Sequence, residues 1–191
     1  MAIDIKEMFV NAFLNRIEKQ SLSSITVQSL LDDTGASRQT FYNHFQDKND
    51  LIHYIYNGKI ITSYSDSTII DFDFSKSLLD SFYNMKKYHV FLEQALKMED
   101  TGCLKDYILN HCSKFDLEWH QACFGKKQMP EELIFATKYH AIASSSMTIS
   151  WILSGMPVSC EEIADMIVQM RGLGMDKLFS MGDCFNPYKS R

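Results

Sequence analysis

Apolar side chains recur along this chain at intervals of three and four, the spacing of one helix face. Between residues 4 and 19 they are Ile5, Met8, Phe9, Ala12, Phe13 and Ile17, with Asn11, Asn15, Glu18 and Lys19 opposite, so a first amphipathic helix ends at the serine-rich stretch 21–24. A second helix opens at Thr26, whose hydroxyl can accept from a first-turn N–H, while Ile25 and Leu30 are spaced to clamp its start. Gly35 supplies the left-handed residue that ends it. Ser37 then caps a third helix with Phe41 and Phe45 on one face. Asp47 caps a fourth, carrying Asp50 three residues on and the apolar Leu51, Ile52, Ile55, Ile60 and Ile61. Two helices joined by a tight turn are thus bracketed by a helix on each side.

From Ser65 to Ser75 the composition shifts to Ser, Thr, Asp and Phe, which predicts a boundary between a head, residues 1–64, and a body, residues 65–191. Helices are expected near 75–87, 89–98, 101–123, 131–154 and 159–179, broken around Tyr88, at 99–102, at 124–130 and at 155–159. About nine helices and no strand pattern make the chain all-α. Eight glycines and three prolines in 191 residues agree with long uninterrupted helices.

A net charge of −5 argues against binding nucleic acid by bulk attraction. Residues 1–60 carry Lys6, Arg16, Lys19, Arg38, Lys48 and Lys59 against Asp4, Glu7, Glu18, Asp32, Asp33, Asp47 and Asp50, so any contact with DNA there depends on a few placed groups and on two copies. No secretory leader pattern and no uncharged run of ~20 residues is present, which predicts a cytoplasmic protein that does not enter the membrane. The five cysteines, all in the second half, form no C-x-x-C pair and read as reduced, mostly buried thiols. His120 and Cys123 share a helical face, but the adjacent His111 and Cys112 diverge, so no metal or other cofactor is expected. No phosphate loop, nucleophile elbow or H-E-x-x-H is found, and an enzyme is not expected.

The stretch I25-T-V-Q-S-L-L-D-D-T-G-A-S-R-Q-T-F-Y-N-H-F-Q-D-K-N-D-L-I52 closely resembles the helix-turn-helix signature of the TetR family. Its specific parts are Thr26 opening the second helix, Gly35 in the turn, residues 37–45 as recognition helix and D47-K-N-D-L51 opening the fourth. The resemblance implies a TetR-like fold and a regulator that binds palindromic double-stranded operator DNA as a homodimer. It implies DNA contacts from Thr26, Val27, Gln28, Ser37, Arg38, Gln39, Thr40, Tyr42, Asn43, His44 and Lys48. The residue chemistry agrees. With Phe41 and Phe45 inward, Gln39, Thr40, Tyr42 and Asn43 face outward with Arg38 and His44 at the margins. A major groove accepts such groups, Arg on guanine and Asn or Gln on adenine. Thr26 and Lys48 lie at helix N-termini, where phosphate is attracted. His53 reads as surface.

Family members usually dimerise through their last two helices. Ala141, Ala143, Ser144, Ser145 and Ser146 would permit close approach, Ile163, Met166, Ile167, Met170 and Leu173 offer an apolar face on the last helix, and the expected interface is Ala143, Ser145, Ile149, Ile163, Ile167 and Met170. The small residues would serve equally for packing within one subunit. A ligand cavity for a small-molecule effector could be lined by Tyr88, Tyr107, His111, Phe115, Trp119, Met147 and Trp151, residue types that also fill plain cores. The segment from Tyr139 to Ala164, with W151-I-L-S-G155 and the acidic helix start after it, resembles a TetR subgroup that includes activators of dihydroxyacetone kinase operons. That likeness implies a body contacting a partner protein, and activation in place of repression. The competing reading is a protein-interaction module or co-activator with a vestigial DNA-binding head.

Overall fold

The computed structural model describes residues 4–61, 73–125 and 127–180, and the expected boundary between residues 64 and 65 lies outside them. The described residues form nine α-helices and no strand: α1 (Ile5–Ile17), α2 (Val27–Thr34), α3 (Arg38–Tyr42), α4 (Lys48–Ile55), α5 (Phe74–Lys87), α6 (His89–Leu96), α7 (Leu104–Phe124), α8 (Glu131–Leu153) and α9 (Cys160–Ser180).

The helix starts follow from side-chain caps. Asp4 accepts from the N–H groups of Lys6 and Glu7 at 3.0 and 3.3 Å and opens α1. Thr26 and Ser29 exchange bonds of 3.1 Å in each direction, a capping box that opens α2, with Ile25 and Leu30 fully buried beside it. Gly35, at φ +68°, ends that helix in the left-handed region that only glycine enters cheaply. Ser37 and Asp47 cap α3 and α4 through the N–H groups of Thr40 and Asp50, and Ser159 exchanges bonds with Glu162 to open α9.

One expectation is revised at the end of α4. The apolar positions Ile60 and Ile61 are not on a continued α-helix but in and after a π turn, Tyr56–Ile60, closed by the Ile61 N–H on the Tyr56 carbonyl at 3.2 Å. The wider turn lets Tyr56 and Ile60 both face inward while Asn57 and Gly58 stay in solvent.

The main apolar core is continuous from head to body. Phe9, Phe13, Leu30, Phe41, Phe45 and Ile52 of the first four helices share it with Phe82, Phe91, Ile108, Trp151 and Ile163. A second cluster, Phe74, Trp119, Leu133, Met175 and Phe179, closes the far end of the body, where α7 packs along α8 and α9 along α5 and α8.

Candidate nucleic-acid interface

Two phenylalanines orient α3. Phe41 and Phe45 are buried against Phe9, with ring centroids 5.1 and 6.3 Å away in edge-to-face geometry, so the intervening positions turn outward. Arg38, Gln39, Asn43 and His44 are exposed, Thr40 is half-buried, and Tyr42 is 48% exposed with its ring edge-on to Phe41.

These groups are held by one another. Gln39 donates to the Asn43 side chain at 2.8 Å, one turn apart, while Arg38 donates to Gln28 at 3.1 Å and Gln28 to Asp32 at 2.9 Å, linking α3 to α2. Ser37 and Thr40 share a hydroxyl bond of 2.8 Å. The face is therefore a preorganised set of donors and acceptors running from Ser37 to Asn43, whose side-chain amides each keep further bonding capacity. Thr26 and Gln28 are exposed beside it, whereas Val27 is half-buried against the core.

Lys48 has a structural duty besides the one its position suggested. Its ammonium donates to the carbonyls of Leu22 and Ile25 at 3.3 and 3.2 Å, fixing the start of α4 to the turn that leads into α2. His53 is not a surface residue: its ring stacks on Tyr107 of α7 at 4.1 Å, and burial pushes its imidazolium pKa down.

In the body, a cavity of about 530 Å³ opens between the π turn, α5, α7, α8 and α9. Of the residues expected to line it, His111 and Phe115 do. The other five lie elsewhere. Tyr107 is sandwiched between His53 and His111, Tyr88 packs on the main core, and Trp119 stacks on Phe74 at 5.2 Å. Trp151 sits edge-on to Phe82 and donates to the Val158 carbonyl at 3.0 Å, and Met147 is 63% exposed on the outside of α8. Large aromatics here fill the interior and leave no space to line.

The missed wall carries charge. Asp116 and Arg171, both almost wholly buried, form an ion pair of 2.6 Å on the cavity. Arg171 also donates to the Ser144 hydroxyl at 3.0 Å and lies 4.9 Å over the Phe74 ring. Burial pushes the Asp116 carboxyl up, against the pull of the adjacent guanidinium. The signal was in the sequence: Asp116 continues the i, i+4 stripe of Ile108 and Cys112, and Arg171 that of Ile163 and Ile167. His120, next on the first stripe, is buried and bonded to Thr137 at 2.8 Å, its pKa lowered to about 3, chiefly by burial.

The expected dimer residues lie mostly inside the subunit. Ser145, Ile149, Ile163 and Ile167 are buried within the subunit, and Ala143 is half-buried, because the small residues let α8 pack closely on its own neighbours. Met170 alone of that set is exposed. Beside it, Met166 and Leu173 of α9 and Phe135, Tyr139 and Ile142 of α8 leave an apolar face uncovered.

A short polar helix displayed after a tight turn on a four-helix head, joined to a larger helical body, is a helix-turn-helix arrangement. The comparisons name the family. A family model described as a transcriptional regulator C-terminal region, of TetR type, matches residues 73–171, over half of the chain, and the chain belongs to the TetR family of transcriptional regulators. Among solved structures it is similar to the dihydroxyacetone kinase operon activator DhaS, with a TM-score of 0.68 at 18% identity over 93% of this chain and 99% of that one. It is similar too to a protein of Syntrophomonas wolfei assigned to the TetR-family transcriptional regulators, with a TM-score of 0.58 at 16% identity over 90% and 95%. No curated protein matches by sequence. No helix among the described residues is long and apolar enough to cross a membrane.

Proposed function

We propose that the chain is a sequence-specific DNA-binding regulator, which docks α3 in the major groove of a palindromic operator as a homodimer and receives an effector or partner signal through its body. Labour divides between residues 1–64 and 65–191. The observation that carries this is the outward face of α3, on which Arg38, Gln39, Thr40, Tyr42, Asn43 and His44 are presented by a helix anchored on Phe41 and Phe45. Gln39 and Asn43, already paired, are arranged as a unit that can span neighbouring base edges. Tyr42, the free N–H groups at the start of α2 and the remaining ammonium N–H of Lys48 contact phosphates and set the register.

Two copies are needed because the head carries one more acid than it does bases, so that a single half-site contact gains little from counterion release. The uncovered apolar face of α8 and α9 supports the pairing: Phe135, Tyr139, Ile142, Met166, Met170 and Leu173 are the residues that a second copy would cover. DNA binding assigns the protein to the bacterial cytoplasm. The likeness to an operon activator supports an output that includes activation.

Selection of bound duplexes from random DNA tests the reading. A palindrome whose half-sites lie about one helical turn or a multiple apart is expected. No enrichment at low salt would sink it and leave the body as a protein-interaction module.

A further inference from the structure

We propose that Gln28 and Asp32 of α2 are positioning residues for Arg38, so that the three side chains together present one guanidinium to one guanine in each half of the operator. This deepens, and rests on, the reading of the outward face of α3 as the base-reading surface.

Arg38 is the first residue of α3, the end of a recognition helix from which base edges are reached. Its Nη2 donates to Gln28 Oε1 at 3.1 Å, and Gln28 Nε2 donates to Asp32 Oδ1 at 2.9 Å. That relay runs in one sense only. A guanidinium has donors and no acceptor, a carboxylate has acceptors and no donor, and the amide between them must turn its oxygen to the first and its nitrogen to the second. Asp32 therefore orients Gln28, and Gln28 orients Arg38.

The support is fixed. Gln28 and Asp32 stand one turn apart on one face of α2. The start of that helix is closed by the Thr26–Ser29 capping box, and Arg16 of α1 donates to the Ser29 carbonyl at 3.1 Å and to the Asp33 carboxylate at 2.8 Å. An exposed arginine with no such partner gives up much rotamer freedom on docking. Here that ordering is done within the protein, before a base arrives.

The donors that the relay leaves over fit one base. The five N–H groups of a guanidinium make two paired edges that share Nη2, and with one Nη2 proton given to Gln28 the other edge stays whole. Two donors side by side match the O6 and N7 acceptors of guanine, whereas adenine sets a donor beside its N7 and thymine a methyl group beside its O4. The neutral amide also holds Arg38 without pairing it to a carboxylate, which keeps the cation available to the groove. Asp32, an exposed acid beside a face meant for DNA, thereby has a task.

The test selects duplexes with the full-length wild-type protein, then replaces each position of the palindrome symmetrically and titrates the set. One guanine per half-site is expected whose replacement weakens binding roughly tenfold or more, and Arg38→Met should erase that preference. Gln28→Leu, at an exposed position, should cut it to about threefold or less, while the preferences at other positions keep their order. Gln28→Glu/Asp32→Asn keeps the net charge and rebuilds the relay, the new carboxylate accepting from both neighbours, and should restore the preference. In the DNA-free protein, NMR relaxation of the Arg38 Nε–H should show a restricted side chain in the wild type and the double variant, and a mobile one in Gln28→Leu. The proposal is overturned by a mobile Arg38 in the free wild type, or by a palindrome with no guanine that answers to Arg38→Met. It is overturned equally by a Gln28→Leu protein that keeps the full preference or weakens on all duplexes alike, and by a double variant no more selective than Gln28→Leu. Failure to select any duplex strikes the operator reading and this proposal with it, whereas a palindrome without the Arg38-dependent guanine strikes this proposal alone.

Discussion

Lys48→Met separates two duties of one side chain. Methionine keeps the length of the stem and removes the ammonium that donates to the Leu22 and Ile25 carbonyls. A hydrogen bond from a charged donor contributes ~1.5–3 kcal/mol, but at 3.2–3.3 Å and half-buried these two together should be near the low end, about 2 kcal/mol. For a chain of this length that is a fall in Tm of roughly 4–8 °C. Urea unfolding should show a lower midpoint with an unchanged slope, because the same surface is exposed. The DNA effect is read independently: loss of one phosphate contact flattens the log–log salt dependence of operator affinity by about one unit. A stability loss below about 0.5 kcal/mol would refute the tie between α4 and the start of α2, whatever the salt slope does.

Three further outcomes follow from the same geometry. Tyr42→Phe should weaken all duplexes alike, by about 1 kcal/mol, with no change of salt slope because a neutral hydroxyl releases no counterion; anisotropy titrations at several salt concentrations would expose an error. Leu173→Glu, at a position 77% exposed in the subunit, should leave folding intact and yield a 22.1 kDa monomer by light scattering, whereas Ile167→Glu should unfold the chain; a dimeric Leu173→Glu protein would contradict the assigned face. His120 makes stability fall with acid: its folded pKa of about 3 lies below the ordinary 6.5, so the unfolded chain takes up the proton first, and stability is complete above pH 6.5 and lost progressively toward pH 3. The loss from this group is about 2 kcal/mol at pH 5, and the raised Asp116 carboxyl works with opposite sign. Urea midpoints at pH 7 and pH 5 should differ accordingly, and a His120→Asn variant with an undiminished difference would contradict the assignment.

What was legible in the sequence was local. Thr26, Ser37 and Asp47 cap helices because a hydroxyl or carboxylate next to a free N–H needs no tertiary partner, and Gly35 ends α2 for an equally local reason. The expected recognition helix over 37–45 is shorter, Arg38–Tyr42, but the chain makes one more turn beyond it, closed by the Phe45 N–H on the Phe41 carbonyl at 2.9 Å, so Phe41 and Phe45 still share one inward side. The body was harder, because small or aromatic residues on a long helix do not say which neighbour they meet. Ser145 was expected between subunits and is buried within its own, while the uncovered face belongs to Phe135, Tyr139 and Ile142. A helix apolar nearly all round, as α8 is from Leu133 to Ala143, already implied more than one buried side. The π turn left no pattern at all: Ile60 and Ile61 satisfy a helical repeat, and only the shared core shows that one residue is inserted.

The proposed DNA-binding face and the body cavity meet on α4. At its start Lys48 holds the turn before α2, and Asn49 donates to the Asp100 carboxylate and the Thr101 carbonyl at 3.0 and 3.3 Å, which fastens the helix to the link before α7. At its end Tyr56 and Asn57 of the π turn stand on the cavity wall, and Asn57 donates to the hydroxyl of Tyr107. Residues 48–60 are therefore one hydrogen-bonded element with the proposed DNA-binding face at one end and the cavity at the other. A ligand that changes the position of Tyr56 must strain either the π turn or the Lys48 and Asn49 bonds. The π turn is the softer of the two, since Gly58 brings no side chain to resist rearrangement. On the proposed reading, coupling between body and operator would be set by how much displacement that turn absorbs before Lys48 moves.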